Sequence, residues 1–376
     1  MGWQNCRKNN KTPHIVITIM EKKKILIIYN KVWSYRVKIF EILNRHYDLT
    51  VAYSSESFVG KSFSFKTIYT PGYAVGPFFF HKPNLTKIAQ NYEVVIGISN
   101  VRWISLMFLS LRKRKFKFIL WGIGVSASYE NKLDSKTTWD RVRFFFAKKA
   151  DAILFYSSYP IKKYIKNGIE PEKLFVANNT VAIDEDFNLT ETENSKTDFL
   201  FIGTLYAQKG IDILLNTYIK LSKTIALPTL QIIGAGPMES TLKDLIEANK
   251  LQDKVVLHGA IYDQKILVNF FSKSLVCISP TQAGLSVLMS MGYGVPFLTS
   301  FDAITGGEIF NVKKDENGLI YDGTEEDLQK TIIWIINNRD KVLAMGRNAK
   351  AHYDQCRKPA DMANAIKDAV EYVLNK

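Results

Sequence analysis

Ser279-Pro-Thr-Gln-Ala-Gly-Leu-Ser-Val-Leu-Met-Ser-Met-Gly-Tyr-Gly-Val-Pro296 reads as a strand end, a tight turn at Gly284 and a helix opening at Leu285. The helix is predicted to bury Leu285, Leu288, Met289 and Met291, and to stop where Gly292, Gly294 and Pro296 forbid its continuation. The apolar run Val295–Thr299 follows at once as the next strand. A helix whose first turn carries unpaired N–H groups, set behind the carboxyl end of a strand, is built to receive an anion. Gly284 lets a ligand approach the backbone, and Leu285 and Ser286 offer the first amides.

Working outward, short apolar runs alternate with helical patterns along the whole chain. In the first half, strands are expected at Lys24–Tyr29, Leu49–Tyr53, Val94–Ile98, Phe118–Trp121, Ala152–Phe155 and Leu174–Ala177. Helices are expected at Tyr35–Arg45, Val101–Arg114, Thr138–Lys149 and Ser158–Asn167, and a long loop at Thr70–His81. Asp184–Thr197 is polar, acidic and without periodicity, which marks a linker. The second half repeats the alternation from Phe199 to Tyr321 and closes with helices at Leu328–Asn337 and Pro359–Leu374. This pattern predicts an α/β chain with two doubly wound parallel sheets. Its boundaries are an extension over residues 1–20, a first domain over 21–184, a linker over 185–197 and a second domain over 198–376, whose last helix can return to the first.

Gly203, Gly234, Gly236, His258, Gly259, Thr281, Gln282, Gly284 and the pair Gly306-Gly307 all follow strand ends in the second half, so they converge on one side of that sheet. In the first half, Tyr35 and Arg36 sit just past the first strand, and Trp121, Gly122 and Gly124 follow another strand end. These are the expected acceptor-side contacts.

The quoted stretch, with Phe199–Leu215, Leu230–Pro237, Val255–Gly259, Gly306–Ile309 and Asn317–Ile320 in the same order, resembles the donor-binding half of glycosyltransferase family 4. The resemblance covers residues 199–330 well and the first half loosely. It implies two Rossmann-like domains facing across a cleft, the architecture called GT-B. It further implies retaining transfer of a hexosyl group from a nucleotide-diphosphate donor, without metal or other cofactor. Lys209 is then the catalytic cation on the departing diphosphate, and Gly203, Thr204, Gly234, Gly236, His258, Gly259, Thr281, Gln282, Gly284, Leu285, Ser286 and Glu308 line the donor. The position before a glycine makes His258 a support for the pocket rather than a proton carrier. Glu308 either reaches the cleft or caps the following helix. The chain departs from the family where two glutamates eight positions apart become Thr281 and Met289, and where an arginine becomes Thr204. Sugar and ribose recognition is therefore rebuilt or lost.

Composition sets the remaining bounds. Among 376 residues, 47% are hydrophobic and 23% charged, the mix of a globular chain. Cys6, Cys277 and Cys356 form neither a disulfide framework nor a metal-ligand spacing, which fits a reducing cytoplasm. Residues 1–184 hold 30 Lys+Arg against 12 Asp+Glu, and residues 185–376 hold 20 against 24, so the net charge of +14 rests on the first half. Cations over Arg102–Lys117, concentrated from Arg112 on, and over Arg141–Lys149 are interleaved with aromatics, Trp103, Phe108 and Phe116 among them. That pattern suits an anionic membrane surface better than a solvated helix end. No nucleic-acid motif accompanies it. No apolar run spans a bilayer, and Ile15–Met20 is too brief for a secretory signal. Met20 is a possible true start.

The leading expectation is a sugar transferase on the inner face of the cytoplasmic membrane, acting on a glycan or lipid-linked glycan acceptor in surface polysaccharide or lipopolysaccharide assembly. Two rivals stand beside it: a non-catalytic relative that binds a glycan or a partner enzyme, and a nucleotide-sugar epimerase of the same fold. The epimerase would need cleft carboxylates and histidines, of which this chain has few.

Overall fold

The computed structural model describes residues 21–56, 61–126, 133–135, 138–184, 186–189 and 193–376. The expected extension over 1–20 and part of the 185–197 linker lie outside the described residues. Apolar runs become parallel strands with helices on both faces, because a sheet covered on two sides needs side chains that can be buried in either direction. In the first half these are β1 (Lys24–Tyr29), β2 (Asp48–Tyr53), β3 (Lys66–Tyr69), β4 (Gly72–Val75), β5 (Phe78–His81), β6 (Val94–Ile98), β7 (Lys117–Gly122), β8 (Ala152–Phe155) and β9 (Leu174–Val176). Between them run α1 (Ser34–His46), α2 (Leu85–Ala89), α3 (Ile104–Met107), α4 (Trp139–Lys149) and α5 (Ile161–Lys166). The sheet order is β3-β2-β1-β6-β7-β8-β9, and β4 pairs with β5 as a separate hairpin.

The second half holds β10 (Asp198–Ile202), β11 (Leu230–Ile233), β12 (Val255–Leu257), β13 (Ser274–Ile278), β14 (Gln282–Ala283), β15 (Phe297–Ser300), β16 (Ile304–Thr305) and β17 (Gly318–Tyr321). Its sheet runs β12-β11-β10-β13-β15-β17, with β14 and β16 paired beside it. Strand order reverses direction between β1 and β6 in one sheet and between β10 and β13 in the other. Those reversals open the crevices where ligands of doubly wound sheets bind.

The last helix, Pro359–Leu374, crosses back. Its Met362, Ile366, Val370 and Val373 are buried with Ile27, Ile39 and Phe40 in the core of the first half. Its amphipathic spacing matches a face that the first sheet and α1 cover.

Four local readings are corrected. The stretch over Thr70–His81 is a hairpin, not a loop: Gly76 at φ +55 turns the chain, and Phe79 and Phe80 pair across to Ala74 and Tyr73. The single helix expected over Val101–Arg114 is only α3 followed by a 3₁₀ turn, Phe108–Leu111. Four adjacent cations at 112–115, with no acid one turn earlier, give the α-helix nothing to continue on. β3 was not expected, nor was the long helix Arg339–Cys356, whose buried face includes Gly346. There a Cβ would meet the Gly294 carbonyl oxygen at 2.5 Å, so the absence of a side chain is what lets this helix pack.

Candidate active site

The glycines at the carboxyl end of the second sheet form a row. Gly203 donates its N–H to Ile233, and Gly234 donates to Gly259. Gly203 sits at φ +151, and a Cβ there would meet Lys209 Nζ at 2.7 Å. The Lys209 side chain therefore folds back across Gly203, just below the ends of β10 and β13. No carboxylate lies within ion-pair distance of it among the described residues, and burial lowers its pKa, with Cys277 a smaller opposing influence. A desolvated ammonium without a counter-ion gains most when an anion arrives, since no existing pair must be broken.

Beside it stands the Leu285–Gly292 helix. Its first amides, on Leu285 and Ser286, have no partner within the helix. The Ser286 hydroxyl is buried without a hydrogen-bond partner, as is that of Ser279 at the end of β13. Around Gly284 the space where a Cβ would stand is empty to 4 Å, so the backbone there is open to a ligand. Cation, free amides and unpaired hydroxyl thus lie along the β10–β13 crevice, an arrangement chemically suited to an anion.

Other expected donor contacts are already engaged. The Thr281 hydroxyl donates to the Gln208 carbonyl at 2.9 Å, and Gln282 Oε1 accepts from Tyr206 at 3.0 Å. Met289 is half-buried against the apolar cluster around Val287 and Met291. His258 Nε2 lies 2.7 Å from Gln231 Oε1 with its ring on Phe270, which makes it a support. Thr204 is exposed, Gly236 packs on the Leu205 carbonyl, and Gly259 borders open space. Glu308 is buried, with Oε2 accepting from the Gly306 amide at 2.9 Å and from Thr305 Oγ1 at 3.3 Å.

In the first half, a cleft of about 440 Å³ opens at the β1–β6 reversal, between Tyr29, Trp33, Asn100, Arg102, Trp139 and Arg143. Trp121, Gly122 and Gly124 line it as expected positions, and Trp121 Nε1 is buried without a partner. Arg143 is held by Asp140 and Ser126, while the Lys31 ammonium lies 3.4 Å from the Trp33 ring centre. Tyr35 and Arg36 lie deeper. Arg36 is 1% exposed and caged by the rings of Tyr35, Trp121 and Tyr156 at 4.9, 5.0 and 5.1 Å. Burial pushes the Tyr35 hydroxyl well above its ordinary range. Sequence reasoning missed Tyr29, Tyr156 and Asn179, three single residues at strand ends without any motif around them.

The two halves meet across the crevice. Tyr159, beyond β8, stacks on Phe310, beyond β16, with ring centres 4.9 Å apart and planes within 12°.

Comparison with solved structures decides the architecture. Over 93% of this chain and 99% of the other, the fold matches that of HepE (Alr3699) from Anabaena, crystallised with UDP, at a TM-score of 0.71 and 14% identity. The fold is GT-B. Residues 182–352, which carry the Lys209 crevice, match the family described as glycosyl transferases group 1. An uncharacterised 41.2 kDa protein of the cps region of Klebsiella pneumoniae is 28% identical over 204 residues, 51% of this chain and 54% of that one. D-rhamnosyltransferase WbpZ of Pseudomonas aeruginosa is 26% identical over 160 residues, 42% of this chain and 40% of that one. The chain spans about half the length of the first of these relatives and less of the second.

Among the described residues, no helix is long and apolar enough to cross a membrane, and no group of three or more His, Cys, Asp or Glu is placed to hold a metal ion.

Proposed function

We propose that this chain is a transferase that moves a sugar from a nucleotide-diphosphate donor to a glycan or lipid-linked glycan acceptor, in bacterial surface polysaccharide assembly. The observation that carries the reading is the unpaired Lys209 ammonium beneath Gly203, beside the open first turn of the Leu285–Gly292 helix. As the glycosidic bond breaks, charge accumulates on the outer phosphate while the sugar becomes oxocarbenium-like. A fixed cation and amide dipoles aimed at that phosphate lower the barrier, and they need no protein nucleophile or metal. Support comes from the match over residues 182–352, from the UDP held by the Anabaena neighbour and from the cps-region relative. The resemblance to family 4 adds the finer expectations of a hexosyl donor and of retention.

The acceptor would lie in the aromatic cleft of the first half. Trp33, Trp121 and Trp139 offer faces to sugar rings, and Arg102 and Arg143 offer charge to an anionic carrier. Membrane association is part of the same proposal. Arg112, Lys113 and Lys115 are exposed, and α4 carries Arg141, Phe145, Lys148 and Lys149 along its outer face. Phe108 and Leu111 are exposed beside them, as are Tyr73 and Val75 of the hairpin. Two members of the expected set belong elsewhere: Phe116 is buried, and Arg114 pairs with Asp151 at 3.0 Å.

The purified chain, incubated with a panel of nucleotide sugars, should slowly release nucleotide from one of them. No release from any donor, with or without an acceptor extract, would favour the non-catalytic reading that the uncharged Thr281 and Met289 keep open.

A further inference from the structure

Arg36 is a fully buried cation with no carboxylate in ion-pair range among the described residues. Its Nη1 faces the Met362 sulfur at 2.8 Å, and its Nη2 donates to Asn179 Oδ1 at 2.8 Å. Asn179 in turn donates Nδ2 to Glu308 Oε1 at 2.6 Å. The buried charges of Arg36 and Glu308 are therefore joined through one amide. The three residues come from three places: α1, the crossover after β9, and the turn after β16. A side-chain amide can accept from a guanidinium with its oxygen while donating to a carboxylate with its nitrogen.

Both ends of this bridge touch the proposed site. Arg36 underlies Trp121 and Tyr156, which wall the cleft of the first half. Glu308 fixes Gly306, and the adjoining β16 pairs with β14, which leads directly into Gly284 and the helix of the donor crevice. We infer that Asn179 is a positioning residue. By tying Arg36 to Glu308 it sets the placement of the acceptor half against the donor half, and with it the alignment of the reacting groups. The inference rests on the transferase reading for its kinetic consequence, but the bridge itself can be tested without it. Asn179 is not among the residues lining the cleft of the first half, and its amide is spent on Arg36 and Glu308, so its loss should lower turnover more than donor affinity. Misplacement of reacting groups by about 1 Å costs on the order of a hundredfold in rate.

The test reverses the polarity of the bridge in the full chain. Asn179→Asp keeps the acceptor for Arg36 but sets two carboxylates together. Asn179→Ala and Glu308→Gln each remove a member or its charge. Asn179→Asp combined with Glu308→Gln restores the total charge and lets a glutamine amide donate to the aspartate, while its oxygen still accepts from Gly306. Each single variant should reduce kcat by roughly 30- to 100-fold with the wild type's best donor, and should change the Kd of its nucleoside diphosphate by less than about threefold. The double variant should return kcat to within about threefold of wild type. Hydrogen exchange of the segment from Ile304 to Asn311 provides the activity-free arm: faster in the single variants, restored in the double. A double variant no better than its worse parent overturns the inference, as does a parallel loss of kcat and nucleotide affinity. If the wild type turns over no nucleotide sugar, the transferase reading fails by itself. Exchange then still decides the bridge, and unchanged protection in Asn179→Ala overturns it.

Discussion

The two halves share one scaffold and differ at the rim. At the β10–β13 crevice the second half presents glycines, open amides and a lysine without a counter-ion. At the β1–β6 crevice the first half presents tryptophans and tyrosines, with Arg36 held by rings and an amide, Arg143 by an aspartate, and Arg102 exposed at the rim. A bare backbone with an unpaired cation suits a small, highly charged group that must come close. An aromatic wall suits a larger, less charged partner bound by its faces. On the proposed reading the donor binds on the one side and the acceptor on the other.

The largest effect should come from Lys209→Ala. Removing the crevice's unpaired cation should lower sugar transfer by about 10²- to 10³-fold, because one preorganised electrostatic contact to a developing anion is worth that much. Circular dichroism and the melting temperature should barely move, since among the described residues the ammonium makes no hydrogen bond or ion pair. Unchanged turnover would remove the lysine from the chemistry.

The first half should also carry the surface contact. Replacing Arg112, Lys113 and Lys115 by glutamine should cost about 3 kcal/mol of binding to anionic vesicles, at roughly 1 kcal/mol for each cation. The loss should shrink as salt rises, because the Debye length is already about 8 Å at physiological ionic strength. Hydrolysis of a soluble donor should be untouched. Wild type that fails to sediment with such vesicles at low salt would reduce the run to a solvated turn.

A smaller effect sets the buried Lys196 of the second half apart from Lys209. Lys196 Nζ donates to the carbonyls of Phe271, Ser274 and Tyr293 at 2.9, 3.4 and 3.4 Å, and burial pushes its pKa down to about 7. Its unfolded value is the ordinary 10.5, so between pH 7 and 10.5 the unfolded chain binds more protons at this site. Stability from this group should therefore rise with pH across that window, by about 1.4 kcal/mol per unit, and be lost as pH falls toward 7. Urea titrations at pH 7.5 and 9 should show the rise in wild type and its absence in Lys196→Met. A flat profile in wild type would mean that the three carbonyls stabilise the ammonium enough to offset its burial.

Legibility followed the same division. The glycine-lined crevice of the second half could be read because its parts are local: a strand end, a glycine and a helix start lie within a few residues of each other, five times over. The Arg36 cage could not. Its partners Trp121, Tyr156, Asn179 and Met362 are brought to it by β7, β8, the crossover and the last helix, and no spacing announces them. The hairpin at Gly72–His81 was hidden by its own punctuation, since Gly76 and Pro77 read as a loop until the pairing of Tyr73 with Phe80 is seen. The engaged states of Thr281 and Gln282 were likewise invisible, because their partners Gln208 and Tyr206 lie on a turn more than seventy residues upstream.

The division is tested most directly by calorimetric titration of nucleoside diphosphates, UDP first, into wild type, Lys209→Ala and Trp33→Ala. Charge loss in the second half should weaken binding of the preferred diphosphate by at least about thirtyfold, the order expected for one desolvated ionic contact. Loss of the aromatic face in the first half should leave that affinity within about threefold. Equal binding by wild type and Lys209→Ala, or a loss confined to Trp33→Ala, would put the diphosphate somewhere other than the glycine-lined crevice and contradict the account.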